Sequence, residues 1–192
     1  MDRDKLEEGF RLVLEGMGVD PAHPQMRDTA RRTAEAWFDE ICVGLREAPV
    51  EMDVFPIEEG YPAGMVALSG IPVKSLCAHH LLPFTGEAVV AYLPDGQLCG
   101  LSKLSRVVDH FARRPQMQEM LTQEIAAFLQ EGLQPRGVGV LVRATHFCMN
   151  IRGVNHPGTM TTTALLGDFE QDPTVRHEFL AMAHGQEYPH PG

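Results

Sequence analysis

With 192 residues, 44% hydrophobic and 22% charged, the chain is long enough to bury a sizeable core in one domain, and its composition excludes a fibre or a wholly disordered polymer. A formal net charge of −10 argues against a nucleic-acid partner, since phosphate backbones need a basic face, yet it allows a small anion bound by a local Arg/Lys cluster. Four cysteines in a chain of this length, an acidic first ten residues with no basic-then-apolar leader, and no apolar run of bilayer length point to a reducing cytoplasm and no membrane partner.

The first predicted element is a helix with Leu6, Phe10, Val13, Leu14 and Met17 at helical spacing and Gly18 as its stop. A second helix follows Pro21 and Pro24, with Ala30, Thr33, Ala34, Trp37, Phe38 and Ile41 as its buried stripe. Residues 44–64, rich in Pro, Gly and acid, read as a loop. Short strands are expected at 65–68 and 73–76, separated by Gly70 and Pro72. A strand at 87–93, the turn Pro94-Asp95-Gly96 and a returning strand at 97–101 read as a hairpin. Ser102 then suits the N-cap of a helix facing inward with Leu104, Val107, Val108 and Phe111. Pro115 restarts a longer helix whose inner face is Met117, Met120, Leu121, Ile125, Phe128 and Leu129, ended by Pro135 and Gly137. Val138, Val140, Val142, Ala144, His146 and Cys148 share one parity, the pattern of a strand presenting one face, and 159–166 is a last β-branched strand. The predicted organisation is an amino-terminal helical segment and loop over 1–63, a main domain over 64–184, and a frayed tail over 185–192.

Two clusters carry the chemistry: Cys77-Ala78-His79-His80 and His146-Phe147-Cys148. Together they offer two thiolates and three imidazoles, the side chains that hold zinc in a tetrahedral N/S site. A structural zinc takes four protein ligands, whereas a catalytic one takes three and keeps a position for water. With Cys77, His80 and Cys148 as ligands, His79 and His146 stand beside the metal as proton carriers, so the chain reads as a zinc hydrolase.

The stretches CAHHLLPFTGEAVVAYLP, GLSKLSR, FARRPQMQEMLT, THFCMNIRG, TMTTTALLGDF and RHEFL, spread over about residues 29–180, resemble GTP cyclohydrolase I. The resemblance implies an α+β tunnelling fold: an antiparallel sheet in strand-strand-helix-helix-strand-strand order with helices on its outer face. In that fold subunits assemble into a homo-oligomer, implied to be a decamer, with active sites at subunit boundaries. It implies GTP as substrate, opening of the guanine imidazole ring, loss of C8 as formate and rebuilding to dihydroneopterin triphosphate. On the matching positions, Cys77, His80 and Cys148 would hold Zn2+, and His79 and His146 would move protons. Gln118 and Glu119 would recognise the guanine edge, and Ser102, Lys103, Arg106 and Arg152 the ribose triphosphate. Arg32 would reach a neighbouring subunit's pocket.

One departure bears on function: the family usually carries Glu where this chain has Ala78. It leaves open an enzyme that stops at a formamidopyrimidine or related product. A non-catalytic zinc module is a third reading; it requires a closed site with Cys42 or Cys99 as fourth ligand. Otherwise Cys42 and Cys99 are expected as small core residues, His110, His156, His177 and His184 as structural, and Arg113 and Arg114 as a solvated face.

Overall fold

The computed structural model describes residues 1–58 and 64–185. Residues 1–48 form one compact unit and the chain from residue 49 onward another. Apart from Gly185, the tail expected to fray lies outside the described residues.

In the first unit, α1 (Arg3–Gly16) is capped by Asp2, whose carboxylate accepts the Lys5 N–H at 3.1 Å. Its inward stripe is narrower than the spacing predicts: Leu14 is buried, whereas Val13 and Met17 are exposed. Helix α2 (Thr29–Ala36) buries Ala30 and Ala34, small residues that let helices approach closely. It runs on into a single π turn over Trp37–Ile41. Phe10 meets Trp37 edge to face at 5.3 Å, so the tryptophan packs, as its spacing suggests.

The second unit is built on one sheet. Strands β1 (Val54–Pro56), β2 (Val66–Cys77), β3 (Pro83–Leu93) and β4 (Gln97–Cys99) precede helix α3 (Leu101–Ala112). The two-residue strand β5 (Pro115–Gln116) leads to α4 (Gln118–Leu133). Then come β6 (Gly137–His146), the one-turn helix α5 (Phe147–Asn150), β7 (Thr159–Gly167), α6 (Asp168–Gln171) and α7 (Pro173–Ala183). The order across the main sheet is β5-β2-β3-β6-β7, antiparallel except where β5 runs parallel to the end of β2.

Alternation gives the sheet two faces. Val90, Tyr92, Val138, Val140 and Val142, each about 1% exposed or less, pack with Leu104, Val107, Leu121, Ile125 and Leu129 of α3 and α4. Burying each such aliphatic side chain contributes roughly 1.5–3 kcal/mol. The opposite face carries Val89, Ala91, Leu93 and Leu141 under Phe169 and Phe179.

Several local expectations are corrected by long-range pairing. The two short strands predicted around Gly70 and Pro72 are one strand, β2, with a register shift between Leu68 and Ile71 where Gly70 takes a φ of 67°. The chain does turn at Gly96, but β4 pairs with β1, inside the segment predicted as loop, and not with β3. Ser102 is not the N-cap of α3; Gly100 is, and Ser102 is an exposed first-turn residue. Pro115 does not open α4, because residues 115–116 are drawn off into β5. Met117 and Met120, predicted inward, are exposed. Cys148 does not continue the strand: β6 ends at His146 and Cys148 belongs to α5.

Candidate active site

At Cys77 the chain leaves β2 and re-enters the sheet at Pro83 through a tight turn. The Leu81 N–H donates to the Cys77 carbonyl, and the Cys77 N–H to the Leu82 carbonyl, both at 2.8 Å. Leu81 takes a φ of 53°. A branched side chain in that left-handed region costs roughly 1–3 kcal/mol, held here by the paired strands on either side. The turn folds His80 back so that its Nδ1 lies 3.9 Å from Cys77 Sγ.

Cys148 arrives from the adjacent strand. β6 pairs residue by residue with β3 until His146 stands opposite Phe84, and the chain then coils into α5. The result brings ligand atoms of Cys77, His80 and Cys148 within 4.8 Å of one another. A tetrahedral metal would hold two sulfurs and a nitrogen roughly 3.5–3.8 Å apart, so the cluster is close to closing on an ion. Burial and the neighbouring Cys77 sulfur push the Cys148 thiol up, against the pull of the Arg152 guanidinium. Among the described residues the group contains neither Cys42 nor Cys99. Cys42 is buried and Cys99 packs against the core.

His146 is fixed on two sides. Its ring stacks on Phe84 at 4.5 Å with an interplanar angle of 11°, and its Nε2 lies 2.8 Å from Gln118 Oε1. Burial holds its pKa below the usual histidine range, while the Glu119 carboxylate pulls it upward. His79 is exposed, its ring centroid 6.4 Å from that of His80.

The remaining candidates are less uniformly gathered. Gln118 is 1% exposed and its side chain is fully engaged inside the protein; Glu119, the next residue, is exposed. Arg152 is exposed and its Nη1 lies 2.8 Å from His80 Nε2, which brings its cation to the cluster. Ser102 and Arg106 lie one turn apart on exposed positions of α3. Lys103 is turned away from solvent: its ammonium pairs with Asp53 and donates to the Glu51 carbonyl, each at 2.8 Å. Arg32 belongs to the first unit, 72% exposed, with Asp28 at 3.7 Å. Arg114, predicted as solvated, ion-pairs with Glu124 and lies over the Phe111 ring at 5.1 Å.

Sequence reasoning missed the Phe84 stack, the strained Leu81 and the burial of Gln118. The last had a visible signal: Gln118, Leu121, Thr122, Ile125 and Leu129 fall on one helical stripe, and all five are buried.

A soft-ligand cluster beside a clamped histidine, at the ends of the neighbouring strands β2, β3 and β6, defines an α+β protein with a candidate metal centre. The family model described as GTP cyclohydrolase I matches residues 6–184. The chain is 46% identical over 184 residues to the GTP cyclohydrolase 1 of Sulfurihydrogenibium sp. (strain YO3AOP1), covering 95% of each chain. It is 45% identical over 186 residues to that of Aquifex aeolicus (strain VF5), covering 96% of this chain and 98% of the other. Among solved structures, the archaeosine synthase QueF-Like in the apo form matches with a TM-score of 0.47 at 20% identity, over 56% of this chain and 96% of that one. The chain belongs to the GTP cyclohydrolase I family of enzymes.

Proposed function

We propose that the chain hydrolyses GTP at guanine C8 with zinc held by Cys77, His80 and Cys148, releasing formate and rearranging the remainder to 7,8-dihydroneopterin triphosphate, the first step of tetrahydrofolate and pterin biosynthesis. The observation that carries this reading is the convergence of those three ligand atoms within 4.8 Å, with His146 two residues from Cys148 and clamped independently of it. Two thiolates and one imidazole suit zinc, which when bound supplies the Lewis acidity that makes water a nucleophile near neutral pH.

The protein side chains do the rest. His146 and His79 carry protons to the guanine imidazole nitrogens as C8 is attacked, and later to the departing formyl fragment. Glu119, exposed at the first turn of α4, accepts from guanine N1–H and the exocyclic amine, a two-point contact adenine lacks. Arg152 and Arg106 fork onto phosphate oxygens, and Ser102 adds a hydroxyl at the start of α3. Lys103 joins them by exchanging its Asp53 carboxylate for a phosphate. Arg32 serves the pocket of a neighbouring subunit in a cytoplasmic homo-oligomer of tunnelling-fold chains, a decamer by family resemblance.

Ala78 favours a second reading, in which the reaction stops at a formamidopyrimidine or a related product. Its backbone N–H is used by the Gln116 carbonyl at 3.1 Å, and its methyl offers no carboxylate to an intermediate. Incubating zinc-loaded protein with GTP separates the two. Formate plus a pterin that fluoresces after oxidation is expected; formate or an opened purine without a pterin supports the shorter reaction. No consumption of GTP would refute both.

A further inference from the structure

Gln118 sits at the start of α4 where the family resemblance assigns it to the guanine edge, yet its side chain is buried and both of its polar ends are already engaged by the protein. Its Nε2 faces three acceptors: the Val142 carbonyl at 3.1 Å, the Met160 carbonyl at 3.2 Å and Thr162 Oγ1 at 3.1 Å. Its Oε1 meets His146 Nε2 at 2.8 Å. The hydrogens in this network have one consistent arrangement. Thr122 donates its hydroxyl to the Gln118 backbone carbonyl at 2.7 Å. The 2.6 Å contact between Thr122 and Thr162 is therefore made by the Thr162 hydrogen, which leaves Thr162 Oγ1 free to accept from the Gln118 amide. Reversing the amide would turn its oxygen toward two backbone carbonyls, so the strands β6 and β7 fix which end of Gln118 faces His146.

We propose that Gln118 is a positioning residue whose carbonyl holds the hydrogen of neutral His146 on Nε2, leaving the Nδ1 lone pair as the nitrogen that exchanges protons with the substrate. The carbonyl accepts only, so a neutral imidazole meeting it must place its hydrogen there. The Phe84 stack prevents the ring from rotating away. Thr162 and Thr122, neither near the reacting atoms in this scheme, act one step further back by orienting the amide. The assignment rests on the proposed role of His146 and replaces direct guanine contact by the Gln118 side chain.

The test uses full-length, zinc-loaded protein and the variants Gln118→Met, Thr162→Val and Thr162→Ser. Solid-state 15N spectra of histidine-labelled protein, with the His146 signals identified by their loss in His146→Ala, should show hydrogen on Nε2 in the parent at a pH where the ring is neutral. In Gln118→Met the two tautomers should mix. Steady-state kinetics should show kcat for GTP falling on the order of tenfold to a hundredfold in Gln118→Met, with KM within about threefold and zinc content unchanged. Thr162→Val should shift the same way by less, and Thr162→Ser, which keeps the hydroxyl, should recover parent behaviour. Hydrogen on Nδ1 in the parent, an unaltered tautomer in Gln118→Met, or a raised KM at constant kcat would overturn the proposal. The spectra need no turnover, so a wrong tautomer is distinguished from a wrong substrate.

Discussion

Cys77 and Cys148 present two sulfurs to one small volume with His80, and burial with the neighbouring Cys77 sulfur pushes the Cys148 thiol up. Cys148→Ser is expected to lower zinc affinity by more than the roughly 10–100-fold typical of losing an outer-shell partner, measured as metal retained after dialysis. Retention of a full equivalent would remove Cys148 from the ligand set. His146→Ala should instead keep its zinc and lose on the order of 10²–10⁴-fold in kcat; an unchanged kcat would exclude it as a proton carrier. For Glu119→Ala, kcat/KM for GTP should drop roughly tenfold or more at constant metal content, and preserved discrimination against ATP would refute its guanine contact. At this scale the convergence of Cys77, His80 and Cys148 was legible because Cys and His at short spacing suit a shared metal. Lys103 was not legible in the same way. Its Asp53 partner is fifty residues away in sequence, inside a segment whose composition reads as loop.

Strand pairing decides where those side chains meet, and pairing is what local sequence signals describe least. Pro94-Asp95-Gly96 announces a turn and Gly96 does turn, with a φ of 72°. A hairpin back onto β3 was nevertheless unavailable, because β3 has β2 on one side and β6 on the other. The returning chain therefore joins β1. In the same way, the parity linking Val138 to Cys148 holds along β6, whose Val138, Val140, Val142 and Ala144 are all buried, and fails only where the backbone coils into α5. The close fit of β3 against β6 is testable at Gly86, where an added Cβ would lie 1.8 Å from the Arg143 carbonyl oxygen. That oxygen belongs to a paired strand and cannot swing aside. Gly86→Ala should cost at least about 1–3 kcal/mol, read as a lower thermal midpoint, and should also disturb the Phe84–His146 stack two residues away. An unaltered midpoint would mean the two strands part without penalty.

Across the whole chain the described strands leave two long edges open: β2 is paired on its outer side only at Leu76 and Cys77, and β7 has β6 on one side only, with Thr161 and Thr163 exposed along it. An unpaired nine-residue edge of this kind is a template for another strand, which supports the proposed assembly of several copies through their sheets. Sedimentation should give a mass several times that of one chain, and turnover should fall when dilution dissociates the assembly; a fully active monomer would contradict sites shared between subunits. No helix among the described residues is long and apolar enough to cross a membrane. The measurement closest to the core of this account is zinc titration of metal-depleted protein against GTP turnover. Activity should rise from near zero and saturate at one zinc per chain, with pterin and formate appearing together. Full turnover in protein stripped of metal would contradict it.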